Sequence, residues 1–243
     1  LFYVKKKINI LFATFDQVPS FKGCNTHILS SCRVGPRLNA KVTLFSLGDI
    51  RLPSSPFFEH IPIQIQERNY LKRAMEFQKR LKDHLLSQNY DLIHFRGPFE
   101  GEVVVDKIVP TVYEVNGFPS IELPYHYETM STELLQKIIN LENNTISIAS
   151  KIITPAKRTE SYLTERFGQE IKNKTFILEN GCDISSLSTQ DYNGDLLKLV
   201  YIGTLHPWQG LNWFLRVLNK LPENITLDIY PSSEKKWLKE LLR

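Results

Sequence analysis

The strongest constraint on the fold is a regular alternation of short apolar runs and longer amphipathic segments along almost the whole chain. Runs rich in β-branched residues, such as Ile8–Thr14 and Lys41–Ser46, predict buried strands. Segments such as Asn69–Gln88 and Ser131–Ser150 carry apolar residues at helical spacing and predict helices. Because strands that alternate with helices form βαβ units, the pattern predicts an α/β fold with a mainly parallel sheet.

The other predicted elements follow in the same alternating order. The remaining predicted strands are Ile61–Gln66, Asp91–Phe95, Pro110–Val115, Lys151–Thr154, Thr175–Leu178, Leu199–Ile202 and Ile225–Tyr230. The remaining predicted helices are Thr26–Val34, Phe99–Lys107, Ala156–Phe167, one that ends near Lys220 and one that begins at Ser233. The aromatic segment Ile121–Tyr127 is interpreted as a loop.

The predicted helix Asn69–Gln88 has the clearest amphipathic pattern. Its apolar stripe consists of Leu71, Ala74, Met75, Leu81 and Leu85, and the one polar member is Gln78. The opposite face is basic and carries Lys72, Arg73, Lys79, Arg80 and Lys82. We interpret this face as solvated surface, with peripheral contact to a membrane as the alternative.

Composition is typical of a globular protein with a sizeable core. The chain has 243 residues, enough for one large domain or two smaller ones, and 42% of them are hydrophobic. Its net charge of +4 is too small to indicate an anionic ligand or a membrane by itself. Cys24, Cys32 and Cys182 have no paired spacing, which predicts reduced thiols in a cytoplasmic protein. No apolar run approaches the ~20 residues of a membrane span.

A polar, non-periodic segment divides the chain into two predicted domains. Residues 1–183 form the predicted N-terminal Rossmann-like domain, residues 184–196 a linker, and residues 197–243 the start of a second Rossmann-like domain. The second domain has only two predicted strands and two predicted helices, which make a poor core. Residue 1 is Leu, and the last residues resemble an unfinished helix. We therefore expect a fragment that is truncated within its C-terminal domain.

Residues 198–213 combine a strand, a small-residue turn and the start of a helix. Gly203 and Thr204 end the apolar run, and Pro207 favours a helix start. The free amides and the partial positive charge of a first helical turn form an anion site. This segment therefore predicts a cleft that closes over a phosphate-bearing ligand.

The end of the fifth predicted strand carries polar side chains on one face. Period-two alternation places Val112, Glu114 and Asn116 on that face. A glutamate in an apolar strand is costly to bury unless it has a partner or lines a wet cleft. Glu114 is therefore a candidate site residue.

Other candidates follow neighbouring strands, where ligands bind in open parallel sheets. His94 and Arg96 end the fourth strand, and Arg96 can hold an anion bidentately or pair with a neighbouring carboxylate. Glu122 and His126 can line an acceptor pocket or cover the core. Gly23, in the loop after the first strand, can let a ligand approach the backbone or belong to an ordinary loop.

Several other chemistries lack their sequence signals. The chain has no GxGxxG after its first strand, no P-loop and no GxSxG elbow. No set of Cys and His residues has the spacing of a metal site.

Taken in order, these motifs resemble the retaining glycosyltransferases of family 4, which have the GT-B fold. The ordered set is the glycine loop at Gly23, then DLIHFRGPF, VYEVNGFPSIELPYHY, IASKIITPAKRTESYLTERFG, ILENGCD and VYIGTLHPWQGLNWFLRVL. The resemblance implies two Rossmann-like domains that face each other across a cleft. It implies that the C-terminal domain binds a nucleotide sugar, that the N-terminal domain mainly binds the acceptor, and that catalysis needs no metal.

The resemblance also implies residue roles in the N-terminal domain. Gly23 matches the glycine loop near the donor diphosphate. Asn116 matches a position that is often histidine in the family, near the transferred sugar, and an asparagine amide can still bind a sugar hydroxyl.

In the C-terminal domain, Gly203 and Gly210 match the turn that binds the phosphates. Thr204 and Gln209 stand where the family commonly has arginine and lysine, so amides and polar side chains would bear more of the diphosphate charge. The paired glutamates that grip the donor sugar in the family would lie beyond Arg243.

The sequence therefore predicts a retaining glycosyltransferase that moves a sugar from a UDP- or GDP-sugar to a glycan, lipid or small-molecule acceptor, and that is inactive as this fragment. No cofactor, metal or nucleic acid is expected. The alternatives are a sugar-nucleotide epimerase of the same fold and a non-catalytic binding protein. The predicted catalytic residues are Asn116 and Glu114, the predicted donor-binding residues are Gly23, Gly203, Thr204, Gln209 and Gly210, and the predicted acceptor-side residues are His94, Arg96, Glu122 and His126.

Overall fold

A computed structural model describes residues 7–104, 108–127, 129–181, 194–205, 209–218 and 220–231. The chain divides into two compact units, Leu1–Cys182 and Asp183–Arg243. Most of the predicted linker, residues 184–196, lies outside the described residues, as does Cys182.

The described part of the first unit is a seven-stranded sheet with helices between its strands. Every pair of neighbouring strands is parallel, in the order β3-β2-β1-β4-β5-β6-β7. This confirms the predicted α/β fold. The elements are β1 (Ile8–Gln17), α1 (Gly23–Cys32), α2 (Gly35–Leu38), β2 (Ala40–Leu47), β3 (Phe58–Ile63), α3 (Tyr70–Ser87), β4 (Leu92–Phe95), α4 (Pro98–Val104), β5 (Thr111–Glu114), α5 (Pro119–His126), α6 (Thr132–Ile148), β6 (Lys151–Thr154), α7 (Lys157–Phe167), a 3₁₀ helix (Gln169–Lys174) and β7 (Thr175–Ile177).

Alternation along β1 places apolar side chains on both faces of the sheet. Leu11 and Ala13 belong to one buried cluster, and Ile10 and Phe12 belong to another. The first cluster includes side chains from α3, α4, α6 and α7, whereas the second includes Ile28 from α1. A central strand that is buried on both faces explains why its sequence is a continuous apolar run.

Helix α3 confirms the predicted amphipathic helix but buries a different set of residues. Asn69 caps its N-terminus by accepting a hydrogen bond from the Lys72 amide at 3.1 Å. Phe77 is fully buried, whereas Met75, which we assigned to the apolar stripe, is 67% exposed. Phe77 lies three residues after buried Ala74 and therefore on the same face, whereas Met75 lies to one side of it.

Two other predicted elements were wrong. The segment interpreted as an aromatic loop is mostly helix α5, which begins at Pro119. Ser120 donates its amide and its hydroxyl to buried Glu142 of α6, both at 2.7 Å, and so anchors the first turn of α5. The third strand runs from Phe58 to Ile63 instead of Ile61–Gln66, because it pairs with β2 from Phe58 opposite Val42 onward.

The described part of the second unit contains one βαβ motif. Its elements are β8 (Leu197–Gly203), α8 (Leu211–Leu218) and β9 (Ile225–Pro231), and the two strands are parallel with Leu197 opposite Ile225. Gly210, directly before α8, has φ of 75°, a left-handed conformation that favours glycine. The helix predicted from Ser233 lies outside the described residues.

None of the helices in the described part of the chain is both long enough and apolar enough to span a membrane.

His60 on β3 is a fully buried neutral histidine. The Leu52 amide donates to its Nδ1 at 3.2 Å, so Nε2 carries the proton and contacts the Ser46 hydroxyl at 2.9 Å. Burial, together with the positive charge of Arg51, lowers the pKa of His60 to about 4. The native ring therefore resists a proton that the unfolded chain accepts below its ordinary pKa near 6.5.

We expect the free energy of unfolding to fall by about 2–3 kcal/mol between pH 7 and pH 4.5 through His60 alone. Urea unfolding of the native chain and of His60→Gln at both pH values measures the contribution of His60 to this pH dependence, because the variant lacks the titrating ring. His126→Gln, which changes an exposed histidine at the end of α5, is the control and should keep the native pH dependence. An equal pH dependence in the native chain and in His60→Gln would contradict the assignment.

Candidate functional site

The carboxyl ends of β1, β4 and β5 meet at a cavity of about 500 Å³ in the first unit. Open parallel sheets bind ligands at this edge. Side chains from α1, α3, α4 and α5 complete the wall of what we call the strand-end cavity. Its charged lining residues are Asp16, Lys22, Arg73, Arg96, Glu100 and Glu122, and its aromatic lining residues are Phe15, Tyr70 and Phe99.

The carboxylate of Glu114, at the end of β5, holds four side chains together beside this cavity. It is 3% exposed. Its Oε1 contacts Arg96 Nε at 2.9 Å, Asn116 Nδ2 at 2.7 Å and His27 Nε2 at 3.0 Å. Its Oε2 contacts His94 Nε2 at 3.0 Å. We call these five residues the Glu114 cluster.

The contacts of the Glu114 cluster keep the carboxylate ionised. Burial by itself would raise the pKa of Glu114. The hydrogen bond from His94 and the positive charges of Arg96 and His94 outweigh that effect, and the pKa falls to about 2. Glu114 is therefore a fixed negative charge at neutral pH and a weak base.

Arg96 links the Glu114 cluster to β1. Its side chain is 8% exposed, and its second contact is from Nη1 to Asp16 Oδ2 at 2.6 Å. A guanidinium that bridges two carboxylates in this way is held rigidly. Of the two uses that the sequence allowed for Arg96, the structure shows the pairing with neighbouring carboxylates.

Asn116 lies at the boundary of the strand-end cavity and of a second, small cavity of about 30 Å³ beside His94. Its amide donor is used on Glu114. Its Oδ1 has no hydrogen-bond partner among the described residues and is available as an acceptor.

The structure brings together Glu114, Asn116, His94 and Arg96, and it adds Glu122 as a residue that lines the strand-end cavity. Desolvation in the cavity and the nearby carboxylates of Glu142 and Asp16 raise the pKa of Glu122. His126, by contrast, is the last residue of α5 and is not in the lining of the cavity. Pro119, at the start of α5, lines the cavity, and His126 lies seven residues farther along the helix.

Gly23 begins α1, next to Lys22 and Cys24, which both line the cavity. Apart from its chain neighbours and the backbone of its own helix, no described atom lies within 4 Å of the place where a Cβ of Gly23 would stand. A ligand can therefore approach the backbone amides at the start of α1.

Comparison with known proteins gives one family. The model of Glycosyltransferase Family 4 matches residues 21–186, which include the whole Glu114 cluster. The chain belongs to Glycosyltransferase Family 4. No curated protein matches the sequence.

Solved structures of glycosyltransferases share the fold of this Family 4 chain. Sucrose-phosphate synthase from Thermosynechococcus elongatus has a TM-score of 0.71 at 14% identity, over 95% of this chain and 64% of that one. WaaG, a glycosyltransferase involved in lipopolysaccharide biosynthesis, has a TM-score of 0.70 at 12% identity, over 96% of this chain and 66% of that one. These likenesses show the α/β fold of GT-B glycosyltransferases. The chain spans about two thirds of the length of these proteins.

An enzyme of another kind shares the fold as well. The UDP-GlcNAc 2-epimerase from Neisseria meningitidis, solved with UDP-GlcNAc bound, has a TM-score of 0.58 at 11% identity. The match covers 97% of this chain and 70% of that one. Fold alone therefore does not separate transfer from epimerisation, whereas the family match favours transfer.

The sequence analysis missed several residues that line or adjoin the strand-end cavity. His27 lies on α1 and Asp16 near the end of β1, and both complete the charge network around Arg96 and Glu114. Arg73 on α3 packs its guanidinium over the rings of Phe15 and Tyr70, at 5.6 and 5.9 Å from the ring centroids. For Asp16, the one available sequence signal was its position directly after the apolar part of the first strand, at the end where open parallel sheets bind ligands.

The four residues of the second unit that the sequence predicts to bind the donor phosphates, Gly203, Thr204, Gln209 and Gly210, lie beyond residues 21–186, which the family model matches. Gly203 ends β8, and the Tyr201 hydroxyl donates to the carbonyl of Thr204. Gln209 and Gly210 directly precede α8 and are exposed. Residues 206–208, which separate Thr204 and Leu205 from Gln209, lie outside the described residues. Among the described residues of the chain, no three or more His, Cys, Asp or Glu side chains are grouped to hold a metal ion.

We expect Glu114→Gln to lower the free energy of unfolding at pH 7 by about 3 kcal/mol, because it leaves buried Arg96 without the charge of one of its two carboxylate partners. The native pKa of about 2 lies below the ordinary value of 4.5, so this stability is complete above pH 4.5 and is lost as the pH falls toward 2. In urea unfolding, the difference in free energy of unfolding between the native chain and Glu114→Gln should therefore become smaller from pH 5 to pH 3.

Glu133→Gln is the matched control. Its side chain is 78% exposed and its carboxylate pairs with Lys137 on the same helix, at 2.7 Å. The change should be within about 0.5 kcal/mol. A Glu114→Gln variant as stable as this control would contradict the central place of the Glu114 cluster.

Proposed function

We propose that the chain carries the acceptor-binding domain and residues of the donor-binding domain of a retaining glycosyltransferase. The transferred sugar comes from a UDP- or GDP-sugar and passes to a hydroxyl of a glycan, a lipid or a small molecule. The strand-end cavity of a Family 4 chain, which Arg96 and Asn116 of the Glu114 cluster line beside an ionised Glu114, is the observation that carries this proposal.

The lining of the strand-end cavity suits a polyhydroxylated acceptor. Carboxylates accept hydrogen bonds from sugar hydroxyls, and guanidinium groups donate to them. Aromatic rings such as those of Phe15 and Tyr70 offer apolar faces to a sugar ring. The acidic side chains Asp16, Glu100 and Glu122 balance the basic side chains Lys22, Arg73 and Arg96 in formal charge, which favours a largely neutral ligand.

In this reaction, Glu114 is a fixed negative charge that positions the side chains hydrogen-bonded to it. Both of its oxygens are already hydrogen-bonded, and its low pKa makes it a weak base. It orients Asn116, whose Oδ1 we assign to a hydroxyl of the transferred sugar. His94 and Arg96 keep this arrangement fixed from the neighbouring strand.

In the proposed transfer, the acceptor hydroxyl attacks the anomeric carbon on the face from which the diphosphate departs. The new carbon–oxygen bond forms as the bond to the phosphate oxygen breaks, and the acceptor proton passes to that phosphate oxygen. The leaving diphosphate gains negative charge, and hydrogen-bond donors that are already in place stabilise it.

The donors that we assign to the diphosphate are backbone amides of the second unit, at Gly203, Gly210 and the start of α8. Thr204 and Gln209 add polar side chains. No metal and no further cofactor enter this proposal.

We propose a cytoplasmic location, because a transferase of this kind needs access to nucleotide sugars. The basic face of α3, with Lys72, Lys79, Arg80 and Lys82 exposed, supports peripheral contact with an anionic membrane.

We expect the intact natural protein that contains this chain to consume one nucleotide sugar from a panel of UDP-, GDP- and ADP-sugars. With an acceptor present, the product glycoside should keep the anomeric configuration of the donor, which NMR of the product measures. Release of free sugar or of a 2-epimer without any acceptor would assign the epimerase reaction instead. Binding of a nucleotide sugar without turnover would assign a binding protein, and no binding at all would contradict the proposal.

We expect Asn116→Ala to lower kcat/KM for the donor about 3- to 10-fold, the effect of one lost hydrogen bond to a sugar hydroxyl. Asn116→Asp should lower it further, because a second carboxylate would face Glu114 at the 2.7 Å contact now made by the amide. Steady-state kinetics with the donor found above checks both. Asn140→Ala, on the exposed face of α6, is the control and should leave kcat/KM unchanged.

A further inference from the structure

Strand β1 is interrupted just before it reaches the strand-end cavity. Thr14 pairs with Ser46 of β2, and the next paired residue, Gln17, lies opposite Leu47. Phe15 and Asp16 are therefore extra residues in β1, which form a bulge. Bulges of this kind redirect a side chain and are common beside active sites.

Three hydrogen bonds replace the missing ladder bonds of this bulge. The amide of Phe15 donates to Oε1 of Glu100 at 2.6 Å. The amide of Asp16 donates to the Thr14 hydroxyl at 3.1 Å, and that hydroxyl donates to Asp16 Oδ2 at 3.0 Å. The bulge thus directs the Asp16 carboxylate to Arg96, at 2.6 Å.

Glu100 is an unusual residue for this task. It is 1% exposed, and its Oε2 is buried without a hydrogen-bond partner among the described residues. A glutamine could accept the Phe15 amide equally well and would avoid the desolvation cost of a carboxyl group. A buried carboxyl with an unsatisfied oxygen in the wall of a candidate site indicates a functional role.

Gly97 leaves the room that Glu100 needs. A Cβ at position 97 would lie 2.5 Å from Glu100 Oε2, so the carboxyl group would have to shift. Glycine at position 97 therefore lets the carboxyl group keep its present position.

We propose that Glu100 is a positioning residue of the strand-end cavity, which holds the bulge at Phe15 and Asp16 and so sets the contact between Asp16 and Arg96. The path runs from Glu100 through the Phe15 amide to Asp16, then to Arg96 and the Glu114 cluster. This inference rests on the proposed function only in taking the cavity as the acceptor site.

The position of Glu100 makes this contact sensitive to pH near neutrality. The pKa of Glu100 is raised from its ordinary value of 4.5 to about 7, and burial is the largest cause. Hydrogen bonds from its own amide and from the Phe15 amide lower the pKa, as does the charge of Arg96, whereas the charge of Asp16 raises it. Its ionised form attracts the Phe15 amide and Arg96 more strongly than its neutral form does. The titratable and charged groups around it are Asp16 on β1, Arg96 after β4, Tyr70 and Arg73 on α3, Tyr113 on β5 and Glu122 on α5.

The test follows two resonances of the 243-residue chain by ¹H–¹⁵N NMR between pH 5.5 and pH 8.5. The backbone amide of Phe15 and the Nε–H of Arg96 should both shift with one midpoint near pH 7. Glu100→Gln should remove that midpoint from both resonances. Glu102→Gln, which changes the exposed glutamate on the same helix, is the matched control and should keep it.

Three results would overturn the proposal. They are the absence of a midpoint in the native chain, a midpoint that persists in Glu100→Gln, and a midpoint that Glu122→Gln removes while Glu100→Gln does not. If Glu100→Gln fails to fold, Gly97→Ala replaces it, because its Cβ displaces the carboxyl group without removing it. That variant should move the Phe15 amide resonance, and an unmoved resonance would equally overturn the proposal.

This experiment needs no nucleotide sugar, so its failure is separate from failure of the proposed transferase reaction. Where the intact protein is active, the pH profile of kcat/KM for the acceptor should show the same midpoint near pH 7. Glu100→Gln should flatten that profile, and Glu102→Gln should leave it unchanged. A purely structural role of Glu100 would lower activity equally at every pH.

Discussion

The buried carboxylate of Glu114 is the interaction on which the rest of the site depends. A charge that is 3% exposed inside a protein must be balanced by donors and by opposite charge. Its donors come from α1, from the end of β4 and from the residues after β5. Because one group collects contacts from three parts of the fold, the loops around the cavity cannot move independently of the sheet.

A second buried carboxylate fixes the outer wall of the cavity in the same way. Glu142 on α6 is fully buried, accepts both donors of Ser120 at the start of α5, and pairs with Arg166 of α7 at 2.9 Å. The turn from Asn116 into α5 is thus held by Glu114 at one end and by Glu142 at the other. The polar network lies where the strands end, and the apolar clusters occupy the two faces of the sheet.

Most of the fold could be predicted, because strands buried on both faces produce continuous apolar runs and surface helices produce a 3.6-residue period. The errors have local causes. Helix α5 carries Pro124 and three aromatic or apolar residues that lack a clear stripe, so its helical state depends on the anchor at Glu142. The third strand was predicted too far along the chain, because apolar alternation continues beyond Ile63, where pairing with β2 ends.

The sequence by itself determined the α/β fold, the order of the elements and the candidacy of Glu114, since a glutamate inside an apolar strand needs a partner wherever the strand lies. It also placed His94, Arg96 and Asn116 at strand ends, which parallel pairing brings to one edge. Only the tertiary structure decided that His27 and Asp16 join them and that Glu100 reaches the bulge in β1. These contacts join residues up to 87 positions apart, and no local pattern records which side chains a packed fold brings within hydrogen-bonding distance.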